Sequence, residues 1–173
     1  MKQTNEKFTF FWDGPFSQWC ESKFYSEGIE YNCAEQFMMA HKAELFADHN
    51  AVTAILATKD PVEQKRIGRS IEGYSDELWH GLRGNGRPYC WNVVRLGNRL
   101  KFEQHEGLMK ELLKTAGTTL VEASPVDTIW GIGLKASDPL AQNRATWRGK
   151  NWLGEVLTDV RETLLHDLKE ARW

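Results

Sequence analysis

An apolar repeat near the end of the chain narrows the possible folds more than any other sequence feature. Between residues 152 and 170, apolar side chains recur every three or four residues and leave a clear polar face. The apolar positions are Leu153, Val156, Leu157, Val160, Leu164, Leu165 and Leu168. This spacing is typical of an amphipathic helix. The pattern therefore predicts a long helix close to the end of the chain.

Weaker helical patterns fill much of the remaining sequence. They run through about 33–47, 51–58, 61–70, 75–82, 91–105 and 107–115. Short strands are predicted at about 7–12, 28–31, 118–122 and 128–132. The chain has 173 residues, is 41% hydrophobic and contains no internal repeat or linker, which suits one domain with a substantial core. The prediction is a mainly α fold with a few short strands (α+β), as a single compact domain over residues 1–173.

Charge and composition restrict the partners and the location that can be expected. The net charge is -2, so any contact with nucleic acid must depend on local groups and not on a global field. The N-terminus, MKQTNEKF, has no signal-peptide pattern, and no apolar stretch approaches the length of a membrane span. Cys20, Cys33 and Cys90 are an odd number without a CxxC pair, which favours reduced thiols over a disulfide or a zinc site. We therefore expect a cytoplasmic protein without membrane contact.

An acid and an amine share the expected buried side of the first helix, in the stretch NCAEQFMMAHKA. Glu35 and Lys42 fall almost on one line of a wheel with 3.6 residues per turn, beside Met38 and Met39. Helical side chains lean toward the N-terminus, so Lys42 leans back toward Glu35. Partial burial lowers the pKa of an amine and raises that of a carboxylic acid. The pair thus suggests a nucleophilic lysine and a general acid.

A structural interpretation of the same two residues is also open. Asn32 can act as an N-cap, with Glu35 closing a capping box at the third helical position. Lys42 can pack its aliphatic stem on apolar neighbours and extend its amine to water. Glu35 and Lys42 would then contribute to stability and not to chemistry.

A second group of candidates lies in residues 124–134, SPVDTIWGIGL. Asp127 precedes the short predicted strand at 128–132, and the glycines that follow, including Gly131, allow a ligand to approach the backbone closely. Trp130 offers a flat surface for a ring or a sugar. The alternative is that Trp130 belongs to the core and Asp127 caps a turn.

A third group lies in residues 143–154, NRATWRGKNWLG, which contain Arg144, Arg148 and Lys150 and no acid. This segment leads directly into the last helix. Unpaired N–H groups at a helix start and local positive charge predict a phosphate site. The alternative is a solvated basic loop with Asn151 as a helix cap.

Taken together, these segments resemble the NADAR superfamily, also called the YbiA-like family. The resemblance is found in five segments: FSQW at 16–19, YNCAEQFMMAHKA at 31–43, GNRLKFEQH at 97–105, LVEASPVDTIWGIGL at 120–134 and WRGKNWLGEVLTDVRETL at 147–164. Five such stretches in order cover nearly the whole chain. Two departures are visible: the segment 81–90 is longer than the usual spacing, and Thr158 stands where the family usually has Met. We assign Thr158 to packing.

The resemblance implies a mainly helical domain that cleaves N-glycosidic bonds between a phosphorylated ribose and a base. One branch resembles hydrolases of phosphoribosylamino-pyrimidine intermediates of riboflavin biosynthesis. Another resembles glycohydrolases that remove ADP-ribose from guanine in nucleic acid, sometimes opposing an ADP-ribosyltransferase toxin. The segments SPVDTIWGIGL and WRGKN are more similar in sequence to the second branch. We therefore expect the activity of that branch here. A module that binds NAD or ADP-ribose without cleaving it is a further alternative.

The resemblance also implies roles for individual residues. Glu35 becomes the acid/base, Lys42 the amine that forms a Schiff base with ribose C1, and Asp127 a further catalytic residue. The residues assigned to substrate binding are Trp79, Asn98, Trp130, Gly131, Arg148, Lys150 and Asn151. No metal and no cofactor are implied. The expected partners are ADP-ribose or a phosphoribosyl group, ADP-ribosylated nucleic acid and a toxin of the ADP-ribosyltransferase class.

Overall fold

The computed structural model describes residues 6–171, so residues 1–5 and 172–173 of the predicted domain lie outside the described part. The chain divides into two units. We call Gln18–His105 the central unit, and the described residues up to Ser17 together with those from Glu106 onward the terminal unit. One domain over residues 1–173 stays a prediction.

Helices dominate both units. In chain order the elements are β1 (Phe8–Phe11), β2 (Phe24–Ser26), β3 (Ile29–Tyr31), α1 (Ala34–Leu45), α2 (His49–Ala57), α3 (Pro61–Arg69), α4 (Asp76–Trp79), α5 (Tyr89–Glu103), α6 (Glu106–Lys114), β4 (Thr119–Glu122) and α7 (Trp152–Glu170). Short 3₁₀ turns occupy Gly14–Phe16, Pro139–Gln142 and Arg144–Thr146. The predicted fold class, mainly α with a few short strands, is confirmed. None of the helices within residues 6–171 combines the length and apolar character needed to cross a membrane.

The terminal unit is built on a parallel pair of strands. β1 and β4 pair from Phe8 with Thr119 to Phe11 with Glu122, and α7 packs against β4. The predicted last helix is confirmed, and its buried apolar residues are Leu153, Val156, Leu157, Val160 and Leu164. A smaller cluster of buried residues comprises Val121, Ile132, Leu134 and Ala141. This core supports the loops that lead into α7.

The central unit places α1 among α2, α3 and α5. Two glycines allow this close packing. A Cβ atom at Gly68 of α3 would lie 2.0 Å from Met39 Sδ, and one at Gly97 of α5 would lie 2.6 Å from the Phe37 ring. The first turns of α1 are consequently buried on all sides, and not along one stripe as the helical wheel predicts. Glu35 and Lys42 therefore lie on a densely packed helix.

Two strand assignments differ from the sequence prediction. The strand at 28–31 forms as Ile29–Tyr31, and its hairpin partner Phe24–Ser26 was missed. The hairpin turn is Glu27-Gly28, with φ of 49° and 81°, as a type I′ turn requires. Glu-Gly is a weaker turn signal than Asn-Gly or Asp-Gly, which explains the omission.

The strand predicted at 128–132 is wrong, because residues 128–131 form bends and Ile132 has no regular secondary structure. The backbone N–H groups of Ile129 and Trp130 turn back to Asp127 Oδ1, at 2.9 and 2.7 Å. Ile132 N–H still donates to Glu122 O of β4. Nearby groups on this edge of β4 bind side chains of α7 and of the loop before it, so the edge is satisfied without a third strand.

Candidate active site

Glu35 lies in the first turn of α1 and is only 5% exposed. The capping box expected around it is wrong. Cys33 is the N-cap, the Glu35 N–H donates to Gln18 O at 3.0 Å, and the Asn32 N–H donates to Gln36 Oε1 at 2.7 Å. Both hydrogen bonds that define the box are thus directed elsewhere. The capping explanation for a buried glutamate is removed, while its catalytic role stays a prediction.

Lys42 occupies the last turn of α1 and is half-buried. Its Nζ donates to Gly68 O at 2.7 Å, a contact that the missing side chain of Gly68 makes possible by letting α3 approach α1. Burial lowers the pKa of the Lys42 amine from the ordinary value of 10.5, and the charge of Glu35 opposes this shift. The lysine is therefore shifted toward the neutral form that a nucleophile needs.

Two aromatic rings border the amine. Lys42 Nζ lies 4.4 Å from the ring centroid of Tyr74 and 5.8 Å from that of Trp79. Trp79 is buried at the end of α4 and meets Tyr89 edge to face at 5.9 Å. The structure thus brings Trp79 beside Lys42, as expected for one site. Tyr74 was missed, because a single tyrosine in a turn carries no periodic signal.

Asn98 of α5 is fully buried in the central unit. Its Nδ2 donates to Gln18 Oε1 at 2.7 Å and to Val94 O at 2.9 Å. Within the described residues, Asn98 Oδ1 and Gln18 Nε2 have no hydrogen-bond partner. A buried polar atom without a partner costs about 1–3 kcal/mol, which identifies this amide pair as a candidate for binding a ligand hydroxyl. Gln18 was missed individually, although it lies in the stretch FSQW.

The terminal unit brings the second and third predicted groups together. Backbone N–H groups of Arg148, Lys150 and Asn151 donate to carbonyls of Ile132, Thr128 and Gly131. Gly149 makes this contact possible, since a Cβ atom there would lie 2.2 Å from Gly131 O. The two loops thus run side by side at the start of α7.

Asp127 and Trp130 make contacts of the kind expected if Asp127 caps a turn and Trp130 packs against the protein. Asp127 Oδ1 caps its own turn by accepting from two backbone N–H groups. Trp130 is half-buried and meets Trp152 edge to face at 5.8 Å. These contacts position both side chains, and their roles toward a substrate stay predictions.

Gly131 and Asn151 are engaged with the protein itself. A Cβ atom at Gly131 would lie within about 3.0 Å of Ser124, Asp127 and Glu122 atoms, so protein atoms occupy the side of this backbone where a side chain would lie. Asn151 is fully buried; its Oδ1 accepts from Glu122 N–H at 2.9 Å and its Nδ2 donates to Leu120 O at 3.0 Å. Both residues have structural functions here, and substrate contact by either stays a prediction.

Two components of the predicted phosphate site are already bound by other groups of the protein. The N–H groups of Trp152 and Leu153 donate to Ile129 O and Trp130 O, so these amides at the start of α7 are already used. Arg144 forms salt bridges with two carboxylates, those of Glu6 and Glu155. Its predicted place beside a phosphate is therefore not supported.

The remaining basic residues of the segment are better placed for a ligand. Arg148 and Lys150 are exposed, and Lys150 Nζ lies 4.7 Å from the Trp152 ring. Arg148 lines a cleft of about 380 Å³ together with Lys135 and Gly133. The cleft is also lined by Asp138, so its two cations, Arg148 and Lys135, exceed its acidic residues by one, which favours an anionic ligand.

Comparison with known proteins identifies the class of fold and then the family. The NMR structure of the E. coli protein YbiA matches with a TM-score of 0.73 and 28% identity, covering 95% of this chain and 89% of that one. The NADAR domain model matches residues 7–165, and the chain belongs to this family.

Two further relatives are informative about chemistry. An N-glycosidase of Acanthamoeba polyphaga mimivirus is 42% identical over 152 residues, which cover 85% of each protein. The chloroplastic riboflavin biosynthesis protein PYRR of Zea mays is 32% identical over 134 residues, which are 76% of this chain and 19% of that protein. The family likeness predicted from five short stretches is thereby confirmed.

Proposed function

We propose that this N-glycosidase, a hydrolase acting on N-glycosyl bonds, removes ADP-ribose from guanine in nucleic acid. The observation that carries the proposal is the setting of Lys42. Its amine is half-buried beside Tyr74 and Trp79, and its pKa is lowered by burial. A lysine that gives up its proton readily is suited to attack a ribose C1 atom.

The proposed reaction forms one bond to Lys42 while the glycosidic bond breaks. Neutral Nζ attacks C1 of the ribose, and the bond from C1 to the guanine nitrogen breaks as Glu35 donates a proton to the base. The Glu35 carboxylate then takes the proton that the attached amine loses. Opening of the sugar ring gives a Schiff base, and addition of water releases ADP-ribose and the free lysine. Asp127 keeps the catalytic role that the resemblance implies, as part of the proposal.

The choice of ADP-ribosyl-guanine rests on the amino-acid sequence of residues 124–134 and 147–151, which resembles the guanine ADP-ribosyl branch of the family. The cleft with Arg148 and Lys135 supports an anionic substrate but suits a phosphoribosyl group as well. The similarity to the maize riboflavin biosynthesis protein favours a second candidate, a phosphoribosylamino-pyrimidine. A binding module without activity is the weakest candidate, because it gives no role to a half-buried lysine and a buried glutamate on the same helix.

The deciding experiment offers both substrates at equal concentration and compares kcat/KM. We expect an ADP-ribosyl-guanine oligonucleotide to be cleaved in preference to the phosphoribosylamino-pyrimidine, and Lys42→Met to cleave neither. Efficient cleavage of the pyrimidine with no cleavage of ADP-ribosyl-guanine would replace the proposal by the second candidate. Tight binding of ADP-ribose without any turnover would establish the binding module.

Location and biological partner belong to the same proposal. We place the protein in a reducing cytoplasm, where free thiols such as those of Cys20, Cys33 and Cys90 persist. An enzyme that removes ADP-ribose from guanine has a natural counterpart in an ADP-ribosyltransferase toxin.

A further inference from the structure

The central unit contains a long stretch of sequence with several basic residues and no acidic residue. Between Glu77 and Glu103, the sequence has four arginines and one lysine and no acidic residue. The whole chain has a net charge of -2, so this stretch is a local exception. Of these five cations, Lys101 is fully buried and Arg99 is paired with Glu103. The positive charge that a nucleic-acid strand would meet here is therefore that of the two exposed arginines, Arg83 and Arg87.

Two of these arginines lie on one ordered loop, Leu82–Pro88, which we call the arginine loop. Arg83 and Arg87 are joined by a backbone hydrogen bond of 2.8 Å from Arg83 N–H to Arg87 O. The loop is closed by a β-bridge between Leu82 and Pro88. At its tip, Asn85 Nδ2 donates to Asn92 Oδ1 of α5 at 2.7 Å. The two arginines are therefore held near each other.

The guanidinium groups rest on aromatic rings. Arg83 Cζ lies 4.7 Å from the Tyr89 ring centroid, and Arg87 Cζ lies 4.7 Å from that of Trp91. Both arginines are exposed, and among residues 6–171 neither forms a salt bridge with a carboxylate. A stacked guanidinium loses less conformational entropy when it binds and keeps its N–H groups available for phosphate oxygens.

Direct contacts connect this loop to the lysine of the active site. Lys42 Nζ lies 5.8 Å from Trp79, Trp79 lies 5.9 Å from Tyr89, and Tyr89 lies 4.7 Å from Arg83. These contacts limit the separation of Lys42 Nζ and the Arg83 guanidinium to about 16 Å, a few nucleotides along a strand. A strand whose modified guanine reaches Lys42 can place its flanking phosphates at the arginine loop.

We propose that Arg83 and Arg87 bind phosphates of a single-stranded nucleic acid that carries the modified guanine. The inference rests on the proposed function for its biological meaning, and its binding step can be measured independently. A single strand is specified because it presents the modified guanine without the unstacking and unpairing energy, about a few kcal/mol, that a duplex would require.

The test measures binding of an unmodified single-stranded oligonucleotide by fluorescence anisotropy, between 50 and 200 mM salt. The variant Arg83→Gln/Arg87→Gln removes both charges and retains side-chain atoms that pack on the rings. We expect its affinity at low salt to fall about tenfold or more, and the slope of log K against log salt to become shallower by about 1.4. The control Lys110→Gln/Lys114→Gln removes the same charge from exposed positions of α6 and should bind like the parent.

Equal weakening in both variants, or none in the arginine variant, would overturn the proposal. Displacement of the oligonucleotide by polyglutamate at matched charge would also overturn it, because the loop would then bind any polyanion. Cleavage separates this inference from the proposed function. The arginine variant should cleave ADP-ribosyl-guanosine normally but lose kcat/KM on the oligonucleotide. A parent protein that cleaves neither substrate would refute the proposed function, while the anisotropy would still decide the role of the loop.

Discussion

Asn151 is the residue for which the resemblance and the structure lead to different experimental expectations. The resemblance assigns it to substrate binding. In the structure its side chain is fully buried and connects the start of α7 to β4 by two hydrogen bonds. Its backbone is also left-handed, with φ of 55° and ψ of 34°, a conformation that Asn adopts more readily than Ala. We predict that Asn151→Ala is strongly destabilising.

The magnitude follows from the groups that the substitution leaves without partners. Loss of the amide removes a partner from the buried Leu120 O, at about 2 kcal/mol, and from the part-buried Glu122 N–H, at about 1 kcal/mol. The left-handed backbone adds about 1 kcal/mol for Ala. The expected loss in free energy of unfolding is therefore about 4 kcal/mol, a large part of the usual stability of a domain. Asn151→Gly should lose about 1 kcal/mol less, because Gly accepts the left-handed conformation without strain.

Urea unfolding followed by circular dichroism measures this difference. With an m-value of about 2 kcal/mol/M, Asn151→Ala should lower the midpoint by about 2 M at unchanged m. Asn143→Ala is a matched control, because Asn143 is exposed and its Oδ1 accepts a single N–H group, that of Ala145. It should cost about 1 kcal/mol. An Asn151→Ala protein of normal stability with a raised KM would refute the reasoning and support the substrate-binding role.

Four further predictions concern α1 and its contact with α3. Borohydride added during turnover should trap an adduct on Lys42, detected by mass spectrometry, and an adduct on another lysine would contradict the proposed chemistry. Because the pKa of Lys42 is lowered, the amine should lose its proton below the ordinary value of 10.5, and activity should rise with pH over that range. The free energy of unfolding should rise over the same range, since the unfolded state then binds more protons than the folded state. Lys42→Met should abolish both increases. Glu35→Gln should fold normally but lose about 100-fold or more in kcat, and near-normal turnover would leave Glu35 a structural residue. Gly68→Ala should destabilise by about 1–3 kcal/mol in thermal unfolding, since the added Cβ meets Met39 Sδ at 2.0 Å; no change in Tm would show that Met39 moves aside freely.

The helices could be predicted because their signals are local. The apolar repeat of residues 152–170 predicts α7 within its observed bounds, Trp152–Glu170, since one face of a helix is recorded in three- and four-residue spacings. The strand at 128–132 failed for the complementary reason. Its apolar residues are recorded in the sequence, but its backbone N–H groups bind Asp127, and the neighbouring edge of β4 binds Asn151 and Thr158. Thr158 Oγ1 accepts from Leu120 N–H at 3.0 Å, in agreement with its assignment to packing.

The sequence by itself determined the mainly helical fold, the family and the placing of Glu35 and Lys42 on one helix. The tertiary structure decided which polar groups remain available for chemistry. Arg144 is paired with Glu6, a residue 138 positions away, and Asn151 binds backbone groups of β4 about 30 positions away. Lys42 obtains its environment from Gly68, Tyr74 and Trp79. Burial and hydrogen bonding depend on what folding brings together across such separations, and local spacing carries no record of those partners.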